Sequence, residues 1–301
     1  MSEQTTLAKN QFGSLGDWAR SAVGRLPYWR YVLGKSLSLQ IGMVILLGYV
    51  VVAILGQFWT PYNPTATLAG EPFLSPSSEY WFGTDRVGSD VFSRTLRAAG
   101  LDLMITAGAV FLALIVGTTI GTLAGYFGGA VDFVALRFLE IFQAFPGLLL
   151  ALLVVQALGR GTENVIIVLA LVGMPYYLLF SRGEVLSKKN WQFAEAARMV
   201  GNGPFRVAFR HLLPNSFGPI LAYTSVNAAW VVLLTASLGF LGVGIEPGKP
   251  EWGAMISRGQ PQIVTGEWWV SFFPGMAVLG LSTGLYLLGD GLRDVLDPRS
   301  R

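Results

Sequence analysis

The chain has 301 residues, 52% hydrophobic and only 13% charged, with a net charge of +3 and a mean hydropathy of +0.53. An average soluble domain carries about 25% charged residues, so this composition excludes an ordinary soluble globule and points to a polytopic membrane protein. Cysteine is absent and histidine occurs once, which excludes a disulfide framework, a thiolate metal site, a cysteine nucleophile and a histidine metal cage. The small positive charge sits on span flanks and gives no nucleic-acid surface.

Residues 1–36 form a polar, basic tail. Gly34-Lys35-Ser36 resembles the end of a phosphate-binding loop, but Trp29 stands where that pattern needs glycine and no strand precedes it, so no nucleotide site is read there. No Asp, Glu, Lys or Arg occurs from Ser36 to Gly70. Leu37 to Trp59 is long enough, at about 1.5 Å per residue, to cross a hydrocarbon core of about 30 Å. It is also too long, and too far behind a polar tail, to be a signal-peptide core. Five further apolar runs follow, giving six spans at about 37–59, 101–125, 135–158, 163–183, 217–245 and 268–291 in a transmembrane domain of residues 37–292. The fold class expected is all-α. Fifteen of the 21 Lys and Arg residues fall in the tail, the turn at Arg137, the loop 184–216 with Arg182 just before it, and the closing segment 293–301. Positive charge stays inside, so both termini and the 184–216 loop are expected in the cytoplasm.

The outer segment 60–100 holds Phe82-Gly83-Thr84-Asp85, then Gly88, Asp90, Ser93 and Arg94. Asp85, Asp90 and Arg94 have the types and spacing for an ion-pair and capping cluster around a turn. In the second span Gly117, Gly121 and Gly125 recur every four residues, which lets helices approach closely. Glu140 is expected to pair with Arg137, one turn away, or with a loop charge. The longest polar interval of the second half contains Ala194-Glu195-Ala196-Ala197-Arg198, then Gly201, and later His211, Pro214 and Asn215. It reads as a helix, a break at Gly201 and Gly203, and a second helix opened by Pro204 and closed by Pro214. The alanines beside Glu195 leave a nearly bare surface that another protein could approach. A glycine-rich turn with Phe240, Leu241, Gly242 and Gly244 leads on to Trp252-Gly253 at the outer mouth. His211 has no catalytic neighbour in sequence and is read as capping or packing the end of the second loop helix.

The Glu-Ala-Ala, Gly and His-x-Leu-Pro-Asn pattern resembles the cytoplasmic loop signature of permeases in ABC importers. The 82–94 segment, with Ser89 where arginine is usual, and the 237–255 segment, with Gly239 where serine is usual, narrow the resemblance. It is to the dipeptide, oligopeptide and nickel permease family, and to the C-type subunit of its permease pair. Leu296-Asp297-Pro298-Arg299 is similar to the end of that family. The resemblance implies a type I importer permease fold in the bacterial inner membrane, with no catalytic residue, cofactor or metal in this chain. It also implies two cytoplasmic ATPase subunits that bind ATP and Mg, a second permease subunit, an extracytoplasmic binding protein and surrounding lipid. An ion-coupled secondary transporter is the alternative, yet the span centres carry almost none of the buried ionisable groups it needs. A membrane enzyme would need a constellation of reactive groups that the spans lack.

Overall fold

A computed structural model describes residues 36–66 and 70–296, with the side chain of Leu296 excepted. The basic tail through Lys35 and the closing Asp297-Pro298-Arg299 lie outside the described residues. The helices in order are α1 (Leu37–Phe58), α2 (Val91–Phe127), α3 (Gly129–Gln143), α4 (Gly147–Leu158), α5 (Thr162–Lys188), α6 (Gln192–Met199), α7 (Pro204–Phe240), α8 (Trp252–Gly259) and α9 (Trp269–Leu296). Five of them are long and apolar enough to cross a membrane, and α3 with α4 makes a sixth span when that pair is counted as one.

α2 begins ten residues before the predicted second span. The reason is local: the Asp90 carboxylate accepts the Ser93 N–H at 2.8 Å and starts the helix inside the 60–100 segment. α2 then packs along α5 more extensively than any other pair. A Cβ on Gly117 would stand 2.5 Å from Tyr177 Cβ and 2.6 Å from the Met174 carbonyl, and one on Gly121 would overlap Ser181 Oγ. Only bare backbone fits where these helices touch. Around this contact, Ile105, Val168, Leu169, Val231, Leu238 and Leu281 form a buried core to which α2, α5, α7 and α9 all contribute.

Two further predicted features change. The third span is bent by 88° between α3 and α4. Pro146 has no N–H for the helix of the preceding turn and disfavours the helical conformation at Phe145, so the chain stops and restarts. Pro214 does not end the second loop helix. It sits in the first turn of Leu213–Phe240, directly after a π-helical turn at Val207–Leu212, and the helix runs unbroken from Pro204. In the wider turn the Leu213 N–H reaches back to the Ala208 carbonyl, and the extra residue per turn gives the proline ring room beside the preceding carbonyls.

Candidate functional site

The loop that carries Glu195 is a small folded unit. α6 is closed by Gly201 at φ +83°, with the Gly201 N–H on the Arg198 carbonyl (3.0 Å) and the Asn202 N–H on the Ala197 carbonyl (3.2 Å), the paired bonds of a Schellman motif. Asn202 Nδ2 adds a second bond to that carbonyl at 2.9 Å. Ala194 and Ala197, three residues apart, both turn inward and pack with Val185, Val207 and Leu212, with Tyr126 of α2 against them. Ala197 is therefore part of the loop's own core and leaves the face free for a partner to Glu195, Ala196 and Arg198, all exposed. Met199 and Val200 continue that face and are 87% and 80% exposed. Arg198 Nη1 donates to the Lys189 carbonyl at 3.0 Å. The His211 carbonyl accepts Asn215 Nδ2 at 2.7 Å, and Pro214 lies between them within the continuous helix.

Charge fastens this unit to the spans. Lys188 Nζ donates to Glu184 Oε2 at 2.6 Å and to the Asn215 carbonyl at 3.1 Å, tying the end of α5 to α7. Arg182 makes a bidentate pair with Asp132 of α3, a strong geometry for guanidinium and carboxylate. Fifty residues separate these two in sequence, and no local pattern joins them. Arg137 and Glu140 pair on the exposed face of α3.

At the opposite end the 82–94 motif folds into a cap. Asp85 Oδ1 accepts the N–H groups of Val87 (3.0 Å) and Ser89 (2.9 Å), and Gly88 takes φ +70° to close that turn. Arg94 lies 3.9 Å from Asp85 Oδ2 and donates to the Pro64 carbonyl at 3.0 Å. Ser93 Oγ holds the Tyr62 N–H at 3.1 Å, and Thr84 Oγ1 bridges Glu71 and Leu74. Gly83 turns with φ +72°, and Phe82 stacks on Phe273 of α9 at 3.8 Å between centroids. Ser89 Oγ donates to the Ala66 carbonyl at 3.0 Å.

The turn after α7 is a second Schellman close. Leu241 follows Phe240 as the cap, Gly242 has φ +73°, and the Val243 N–H returns to the Leu238 carbonyl at 3.0 Å. The Gly244 carbonyl accepts the Gly161 N–H at 2.7 Å, pinning this turn to the α4–α5 connection. Trp252 is 1% exposed; its indole N–H donates to the Thr95 carbonyl at 3.0 Å and its backbone N–H to Asp102 Oδ2 at 3.2 Å. Gly253 lies against the backbone of Ala236 with no space for a side chain.

Sequence reading missed the acid pair beside this turn. Glu251 is fully buried and caps α8, accepting from Gly253 and Ala254 at 2.7 Å each, and Asp102 of α2, which accepts the Trp252 N–H, is buried beside it. The available signal was an acidic residue immediately before a short amphipathic helix. Burial pushes the Glu251 carboxyl up to about 7, against the lowering effect of the two N–H bonds. A raised folded-state value means the native protein holds this proton more tightly than the unfolded chain, so stability is lost as pH rises from about 4.5 to about 7. The melting temperature of the purified complex in detergent is expected to fall across that range, and Glu251→Gln is expected to flatten the slope. An unchanged slope in the variant would refute this role.

Among the described residues no group of His, Cys, Asp or Glu is placed to hold a metal ion. A bundle of bent and straight spans, a folded loop with an exposed apolar edge at one end and a folded cap at the other define a polytopic membrane protein with two surfaces open to partners. The family of binding-protein-dependent transport system inner membrane components matches residues 117–301. The chain is 37% identical over 269 residues to the dipeptide transport system permease protein DppC of Alkalihalophilus pseudofirmus, covering 89% of this chain and 88% of that one. It is 35% identical to the glutathione transport system permease protein GsiD of Pectobacterium atrosepticum, covering 90% of both chains. It is 34% identical to the probable D,D-dipeptide transport system permease protein DdpC of Escherichia coli, covering 89% of both. The chain belongs to the binding-protein-dependent inner membrane component family. It is a non-catalytic, multi-pass inner-membrane permease subunit of an ABC importer that works with ATPase and substrate-binding components, and not a secondary transporter.

Proposed function

We propose that this permease forms half of a path for short peptides or closely related solutes and receives force from ATPase subunits through α6. The observation that carries the coupling role is the exposed edge of Ala196, Met199 and Val200 on a helix packed from beneath by Ala194 and Ala197. Solvent would not favour two large apolar side chains at a helix end, and a groove on another protein would. Glu195 and Arg198 flank the edge and supply charge-assisted bonds to the same partner. Peptide cargo is supported by the names of the dipeptide and glutathione relatives. The assembly proposed is this chain with a second, similar permease, two ATPase subunits holding ATP and Mg, and a binding protein docking over the 82–94 cap and the Gly242 turn. The distribution of Lys and Arg supports cytoplasmic termini and a cytoplasmic α6.

The test replaces the edge without touching the loop core. Met199→Asp with Val200→Asp is expected to leave membrane abundance unchanged and to lower peptide-stimulated ATP hydrolysis and uptake about tenfold, since lost apolar contact and buried charge together exceed about 1.4 kcal/mol. Full uptake by the double variant at normal abundance would overturn the coupling role. Normal ATP hydrolysis that no short peptide stimulates would overturn the cargo reading alone.

A further inference from the structure

Between α5, α7 and α9, toward the α6 end, lies a cavity of about 520 Å³. It shares Phe180, Glu184 and Tyr223 with a neighbouring cavity of about 400 Å³. Tyr176 then connects that one to a third, of about 250 Å³, at the break between α3 and α4. The string of cavities runs from a broken span to the loop end of the bundle. Its walls are aromatic with polar tips, and its largest member carries Asp290 and Arg293. Hydrocarbon does not cover charged groups and phenolic hydroxyls cheaply, so this side of the bundle faces water or solute.

Asp290 and Arg293 stand three residues apart on α9, a spacing at which opposite charges commonly pair. No ion pair joins them, whereas Arg137 and Glu140 pair at the same spacing on α3. Glu184 on the opposite wall is taken by Lys188. Two opposite charges, both exposed, thus line one cavity together with Tyr223 and Tyr286. A volume of this order suits a small ligand. We infer that this cavity is a solute-binding station for a zwitterion of dipeptide size, with Arg293 receiving the carboxylate and Asp290 the ammonium group. The inference rests on the peptide-import reading above and adds to it a site and the charges that recognise the solute.

The chain has no cysteine, so a single thiol can report on the cavity. Tyr286 is 55% exposed and lines it. In the full importer, in inside-out vesicles, Tyr286→Cys is expected to react with a neutral water-soluble maleimide at least about tenfold faster than Leu47→Cys on the apolar face of α1, a difference read as mass added to this chain. Alanyl-alanine is expected to slow the reaction, and N-acetyl-alanyl-alanine amide, which has no charge, is not. Adding Arg293→Gln should abolish protection by N-acetyl-alanyl-alanine and keep that by alanyl-alanine amide. Adding Asp290→Asn should do the reverse. Equal reaction at the two thiols, or protection indifferent to probe charge or to these substitutions, overturns the station. Uptake of short peptides with no such protection leaves the import reading standing and removes only this site. Absence of uptake for every short peptide removes the reading itself.

Discussion

Gly121→Leu is expected to prevent the bundle from assembling. Position 121 lies where α2 and α5 touch: a side chain there would overlap Ser181 Oγ and the Leu178 carbonyl. The obstacle is backbone, and the helix that carries it is held along its length by Gly117 against Tyr177 and Gly125 against Arg182. Overpacking a well-filled contact usually costs about 1–3 kcal/mol and sometimes more. Here neither helix can withdraw without opening the core of Ile105, Val168 and Leu169, so the effect belongs at or above the upper end. The measurement is membrane abundance with the melting temperature of the detergent-solubilised complex. Gly48→Leu is the control, because nothing stands within 4 Å of a Cβ at that position in α1. Wild-type melting for Gly121→Leu would show that the α2–α5 contact is not made.

Ala197→Trp is expected to abolish transport while leaving the spans inserted. The residue is 5% exposed and rests on Val207 and Leu212, so an indole cannot enter without lifting α6 from the α5 end and from the π-helical turn. Ala196→Trp, one position along and exposed, leaves that packing intact and alters only the outward face. Limited proteolysis of the loop separates the two. Ala197→Trp should expose the 184–216 segment to cleavage and lose uptake. Ala196→Trp should stay resistant and lose only its response to the ATPase. Equal protease resistance would place both alanines on the surface and contradict the inward packing of Ala197.

The difference between these alanines shows where sequence reading stops. Composition, the apolar runs and the glycines at 117, 121 and 125 were enough to establish an all-helical membrane bundle, because each depends on spacing along one helix. Gly201 was equally legible, since a helix stop of that kind is a local conformational matter. Which alanine turns inward depends on where Val207 and Leu212 return, and they do so only after the Schellman turn. Pro214 misled for a related reason: proline normally stops a helix, and the π turn that admits it leaves no mark in the local sequence.

The acid pair and the ion pairs lie further from any local signal. Asp102 comes beside Glu251 across 148 intervening residues, and Arg182 of α5 meets Asp132 of α3. A sequence shows each of these charges as the flank of a span; only the folded bundle makes them partners, since burial and distance are properties of the packing. The sequence by itself determined the all-helical, apolar character of the chain and the helix stop at Gly201, and it supports an expectation for the side of the membrane on which the loop lies. The tertiary structure decided which side of each helix is bare, which charges are satisfied, and which two, Asp290 and Arg293, line one cavity.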